Sequence, residues 1–221
     1  MPEVIFNGPA GRLEGRYHHN KGPNAPTAIL LHPHPQFGGT MNNPIVHALY
    51  YAFIERDFSV MRFNFRGVGR SQGLFDNGVG ELSDAAAALD WMQGFNRDAR
   101  TCWIGGVSFG AWISMQLLMR RPEVDGFLSI APMANHYDFS FLAPCPASGL
   151  FVHGDNDSVT PLEDVDKLVE RLRTQKGIII DNEVVPGANH FFEEKTDELM
   201  KLVEDYLDMR LELDGVRSRD D

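Results

Sequence analysis

A chain of 221 residues can bury well over half of its unfolded surface around one core and is short for two, so residues 1–213 are read as a single domain with a frayed polar tail over 214–221. Its 43% hydrophobic and 23% charged residues exclude an intrinsically disordered chain. A formal charge of −11 excludes duplex DNA or an anionic membrane as a standing partner, because neutralising phosphates takes clustered Lys and Arg.

At the start of the chain, MPEVIFNGPAGRLEG has no basic stretch followed by an apolar run, and no segment reaches the roughly 18 apolar residues of a spanning helix. A soluble, cytoplasmic protein is expected, with either a monomer or a homodimer compatible with the sequence. Cys102 and Cys145 are read as free thiols, since one possible pair is weak ground for a disulfide. Val4 to Phe6 and Leu13 to His18, split by Gly-Pro-Ala-Gly, predict an opening antiparallel hairpin. Thr27 to His32 reads as a buried strand, and Asn42, Asn43 and Pro44 supply the cap and first turn of a helix running to about Arg56.

Phe58 to Asn64 is the next strand. Leu82, Ala85, Ala86, Leu89 and Met92 recur three and four apart and predict an amphipathic helix against the sheet. A strand over Cys102 to Val107, a helix from Phe109 to about Met119 and a strand over Gly126 to Ile130 follow. A loop with Pro132, Pro144 and Pro146 leads to a strand at Leu150 to His153. Pro161 opens a helix through Leu172, Ile178 to Val185 is the last strand, and Leu199, Leu202, Val203 and Tyr206 mark the last helix. This alternation predicts an α/β fold with a mainly parallel sheet.

Gly106-Val107-Ser108-Phe109-Gly110 falls directly after a strand and directly before a helix, the context that gives a Gly-x-Ser-x-Gly motif its meaning. A serine on so sharp a turn is strained and crowded, which demands small residues two positions to either side. Its hydroxyl is expected above the carboxyl edge of the sheet as a nucleophile, with the Phe109 amide as one oxyanion donor. A serine hydroxyl needs a base within hydrogen-bond reach and a third group to orient that base, in the chain order Ser, acid, His on this architecture. In Gly154-Asp155-Asn156-Asp157, Asp157 is favoured as the acid and Asp155 as a turn residue bonding its own backbone. His190, in the loop after the last strand, is the expected general base, while His18, His19, His47, His136 and His153 are read as surface or packed residues.

The loop His32-Pro33-His34-Pro35-Gln36-Phe37-Gly38-Gly39 follows a strand at the position that supplies the second oxyanion donor. Prolines cannot donate, which leaves the amide of His34, with Gln36 as the alternative. No further ligand spacing accompanies His-x-His, so neither a metal nor any other cofactor is expected. Gly67-Val68-Gly69-Arg70-Ser71-Gln72-Gly73 lacks the third glycine of a dinucleotide loop. It resembles instead the Arg-Gly-x-Gly-x-Ser loop common in α/β-hydrolases, which packs near the site, with Arg66 and Arg70 as surface charges the equal alternative. Phe37, Met133 and Phe191 are the expected substrate-lining residues, and the short stretch from Ile130 to Leu150 leaves no room for a large cap.

HPHPQFGGTMNN, NFRGVGRSQG, GGVSFG, HGDNDSVTP and GANHFF together resemble small bacterial α/β-superfamily hydrolases near the dienelactone-hydrolase-like carboxylesterases, and the likeness covers nearly the whole chain. It implies an α/β-hydrolase fold with an eight-stranded, mostly parallel sheet, little or no cap domain, and a triad on Ser108, Asp157 and His190. It implies no natural substrate. HPHP stands where many relatives begin His-Gly, which keeps both His34 and Gln36 open as the donor. The expected activity is cleavage of small or short-acyl carboxylic esters through an acyl-enzyme. A thioester or acyl-peptide hydrolase, and a non-catalytic binder on the same fold, are the alternatives.

Overall fold

The computed structural model describes residues 3–217. Two strands, β1 (Glu3–Gly8) and β2 (Gly11–His18), form the expected hairpin, and six more follow: β3 (Thr27–Leu31), β4 (Ser59–Phe63), β5 (Cys102–Val107), β6 (Gly126–Ile130), β7 (Ser148–Gly154) and β8 (Ile180–Val185). All eight join one sheet in the order β1-β2-β4-β3-β5-β6-β7-β8. β2 runs antiparallel to β4, and every pairing from β4 to β8 is parallel.

The helices are α1 (Pro44–Ile54), α2 (Val79–Phe95), α3 (Phe109–Leu118), α4 (Leu162–Arg173) and α5 (Thr196–Arg217). Strands buried on both faces read as continuous apolar runs, as in β3, where Ile29 and Leu31 pack with α2 and α3 while Ala28 and Leu30 pack with α1. The alternation splits the core into two layers: α2, α3 and α4 cover one face, and α1 and α5 the other. This is the α/β-hydrolase arrangement that the resemblance implies. Between β6 and β7 the chain forms only a loop with a single 3₁₀ turn at Ser140–Leu142, so no cap domain is inserted there.

Local chemistry sets the helix starts. The Asn43 side chain accepts from the amides of Ile45 and Val46 at 3.0 and 3.3 Å, and Pro44 follows it, as anticipated. In α2 the buried face includes Ala88, Glu81 and Asp84, whereas Leu82 and Ala86 are half-buried, a shift from the expected stripe. The reason is electrostatic. Glu81 accepts from the amides of Asp76 and Gly78, and Asp84 is clasped by Arg66 through bonds of 2.9 and 2.8 Å. Arg66 is therefore buried and paired rather than a surface charge, while Arg70 pairs with Glu3 at the surface.

α5 continues to Arg217, four residues past the expected end of order at Leu213, and residues 218–221 of the expected tail lie outside the described residues. Cys102 and Cys145 are both free and buried. Among the described residues no helix is long and apolar enough to cross a membrane.

Candidate active site

Ser108 stands between β5 and α3 with φ 57° and ψ −115°, a backbone region that non-glycine residues rarely occupy. Three contacts hold this turn. The Ser108 amide donates to the Ile130 carbonyl at 2.8 Å, tying the turn to the end of β6. A Cβ on Gly106 would collide with the Gly110 carbonyl, and one on Gly110 would collide with the carbonyls of Leu31 and His32. The two glycines thus let the first turn of α3 fold back on β5 and cross the end of β3. The Phe109 amide, first in the helix, has no intrahelical partner and adds to the positive end of the helix dipole.

The loops after β7 and β8 converge on the same edge. His190 places Nε2 2.9 Å from Ser108 Oγ and Nδ1 2.7 Å from Asp157 Oδ2. All three residues are buried. The second carboxylate oxygen, Oδ1, accepts from the amides of Val159 and Thr160 at 2.7 and 2.9 Å. Burial pushes the Asp157 carboxyl upward, but the hydrogen bond to His190, these two amides and the imidazole's charge outweigh it and leave the group below its ordinary value. The arrangement is a hydroxyl, an imidazole and an ionised carboxylate in series, able to move a proton between Oγ and Nε2.

His153 belongs to this cluster too, which sequence reasoning did not find. It is packed, and its Nε2 lies 2.8 Å from the Thr160 carbonyl and 3.3 Å from Asp157 Oδ2. Burial pushes its imidazole down, toward the neutral form. The signal was available in the sequence, because His153 is the last side chain before Gly154, which ends the strand that carries the acid loop.

On the other side of Ser108, the loop after β3 turns on itself. The His34 carbonyl accepts from the amides of both Phe37 and Gly39, and a Cβ on Gly39 would collide with the Pro33 carbonyl. The two oxyanion alternatives differ here. The Gln36 amide is taken by His34 Nδ1 at 3.2 Å, whereas the His34 amide has no hydrogen-bond acceptor among the described residues. That bond also fixes the proton of neutral His34 on Nε2, and burial holds its imidazole below the ordinary value. Deeper in, His32 is fully buried. Its Nδ1 donates to the Pro33 carbonyl at 2.6 Å and its Nε2 accepts the Phe65 amide at 3.1 Å, and burial pushes its pKa down to about 4. Asn64, a further residue the sequence did not flag, accepts the Met41 amide at 2.7 Å and so anchors the far end of the loop.

Of the expected substrate-lining residues, Phe37 is 84% and Phe191 50% exposed, and Met133 is half-buried. Phe191 packs edge-on against His190 with ring centres 5.1 Å apart. Phe37 reaches the nucleophile turn only through the His34 ring, which lies 4.6 Å from it and 4.9 Å from Phe109. Among the described residues no three His, Cys, Asp or Glu side chains gather as metal ligands.

A sequence model of the family described as X-Pro dipeptidyl-peptidase (S15 family) matches residues 11–176. The chain belongs to the S15 family. Its matched span contains Ser108 and Asp157, while His190 lies beyond it. This S15-family chain is 54% identical over 211 residues to an uncharacterized protein of Rickettsia prowazekii, covering 94% of this chain and 89% of that one. A solved Agrobacterium tumefaciens protein of unknown function, a suggested α/β hydrolase, shares 67% identity with a TM-score of 0.94, covering 96% of this chain and 97% of that one. A Xanthomonas campestris α/β serine hydrolase without a lid is 32% identical at a TM-score of 0.79, with 90% of each chain covered. The S15-family chain is thus a small α/β hydrolase in sequence as well as in fold.

Proposed function

We propose that this protein is a serine hydrolase that cleaves carboxylic esters through an acyl-enzyme on Ser108. One observation carries the reading: the unbroken run of Ser108 Oγ, His190 and Asp157 at 2.9 and 2.7 Å, buried and drawn from three loops at one sheet edge. In the first step Ser108 Oγ attacks the ester carbonyl while His190 Nε2 takes its proton, and Asp157 holds the imidazole with Nδ1 protonated and stabilises the resulting cation. The negative charge on the carbonyl oxygen is met by the amides of Phe109 and His34. His190 returns the proton to the leaving alkoxide, and the alcohol departs. Water, deprotonated by the same imidazole, then attacks the acyl-enzyme, and Ser108 leaves as the hydroxyl form.

The family's description favours a second reading, cleavage of peptide or other acyl-amide bonds, which the same groups would perform. A panel of p-nitrophenyl esters, thioesters and X-Pro anilides separates the two by kcat/KM, with ester turnover expected to dominate. A fluorophosphonate should label the wild type but not Ser108→Ala, and that variant should lose about a millionfold in kcat. Labelling and ester turnover that both survive the substitution would refute the assignment of Ser108 as the nucleophile. A ligand that raises the melting temperature with no hydrolysis across the panel would favour a binder.

A further inference from the structure

The most unusual feature of the surface beside Ser108 is a row of rings. Phe37 meets His34 at 4.6 Å between ring centres, His34 meets Phe75 at 4.8 Å and Phe109 at 4.9 Å, and Phe109 meets Tyr137 at 5.9 Å. Tyr137 in turn stacks on Trp112 at 4.2 Å with planes only 12° apart. Phe109 is fully buried, whereas His34, Phe75, Trp112 and Tyr137 are half-buried and Phe37 is largely exposed. The rings come from the loop after β3, the loop before α2, the helix α3 and the loop after β6. Exposed flat apolar area adjoining a nucleophile is costly to leave wet and is regained by a flat ligand stacking on it.

Resting on the esterase reading above, we infer that this row is the acyl subsite and that it takes a neutral aromatic acyl group. The orientation follows from the chemistry. The leaving oxygen must face His190 Nε2 to receive its proton, beside Phe191, and the carbonyl oxygen must face the amides of His34 and Phe109. The remaining bond of the carbonyl carbon then carries the acyl group away from His190, along the rings. The ring next to the oxyanion loop favours a neutral group: His34 is held neutral by the Gln36 amide at its Nδ1, the exposed side chain next to Phe75 is the carboxylate Asp76, and beyond Tyr137 the carboxylate Asp138 shares its pocket with Lys167 and Arg171. This goes beyond the short acyl chains that the sequence suggests.

The test keeps the leaving group constant. p-Nitrophenyl benzoate and p-nitrophenyl acetate are compared by kcat/KM in wild type, Phe37→Ala and Phe75→Leu. The first substitution is at an exposed site that cannot unfold the protein, and the second keeps apolar volume while removing the flat ring. A wild-type preference for benzoate of about tenfold or more, lost in either variant mainly through KM, is expected for a ring-stacking subsite. Acetate turned over with no preference for benzoate, or a benzoate-to-acetate ratio unchanged in both variants, overturns the subsite and leaves the hydrolase intact. No turnover of either ester and no fluorophosphonate labelling would instead remove the underlying esterase reading. A concentration-dependent dimer abolished by Phe37→Ala, with the ratio unchanged, would reassign the row to self-association and likewise overturn the inference.

Discussion

Asp155 and Asp157 stand two residues apart in the loop after β7 and serve different partners. Asp155 Oδ1 accepts the Gly187 amide at 2.6 Å at the surface, so it clips this loop to the one after β8 rather than bonding its own backbone as expected, while Asp157 turns inward to His190. Asp157→Asn should therefore lower kcat by about ten-thousandfold, because the amide cannot hold the imidazole in the working tautomer. Asp155→Asn keeps an oxygen acceptor for Gly187 and should cost only a few-fold. Steady-state kinetics on one ester checks both, and the reverse ranking would reassign the acid.

A second expectation concerns pH. His32 is neutral in the folded protein down to about 4, whereas in the unfolded chain it protonates near the ordinary 6.5. The unfolded state therefore binds more protons between these values, so the stabilisation is complete above 6.5 and is lost as the pH falls toward about 4. The difference corresponds to roughly 3 kcal/mol. Urea unfolding at pH 7.5 and pH 4.5 measures it, and His32→Asn, which keeps a donor for Pro33 and cannot titrate, should show a flatter dependence over that window. An equal slope in both proteins would place the acid sensitivity elsewhere.

The glycines divide into two kinds. At Gly106 and Gly110 an added Cβ meets backbone carbonyls that cannot yield, so Gly106→Ala should destabilise by about 3 kcal/mol or more and abolish turnover. At Gly94, near the end of α2, an added Cβ meets nothing, and Gly94→Ala should stabilise by about 0.5–1 kcal/mol. Thermal melts of the two variants should move in opposite directions.

Arg66 and Asp84 form a buried pair in which removal of one partner strands the other. Asp84→Ala should cost about 3–5 kcal/mol in denaturant unfolding, and a paired Arg66→Met, Asp84→Leu replacement should recover most of it. A loss below about 1 kcal/mol for Asp84→Ala would mean that Asp76, 3.9 Å from the same guanidinium, compensates.

Much of this was legible in the sequence, and the reasons are specific. β5 and β6 have the bounds the pattern predicts because they are buried on both faces and read as short continuous apolar runs. The positions of Ser108, Asp157 and His190 followed from their places after strands, since a parallel sheet gathers those ends at one edge. The buried acids of α2 were not legible, because periodicity treats Glu81 and Asp84 as solvent-facing, and the amides and guanidinium that satisfy them come from the loops before the helix. The row of rings was only partly visible. Phe37 was flagged, but Phe75, Trp112 and Tyr137 come from three separate segments that only the packed fold brings together.

The order of strands has a temporal consequence. Ser108 follows β5 and His190 follows β8, so β6, β7 and β8 must all be in place before His190 can come within 2.9 Å of the Ser108 hydroxyl. The serine turn is itself tied to the end of β6, so the hydroxyl and the imidazole meet only in a chain whose last four strands are assembled. Capture of Ser108 by an active-site label therefore times the docking of the final strand, and makes the hydroxyl a built-in stopwatch for completion of the fold.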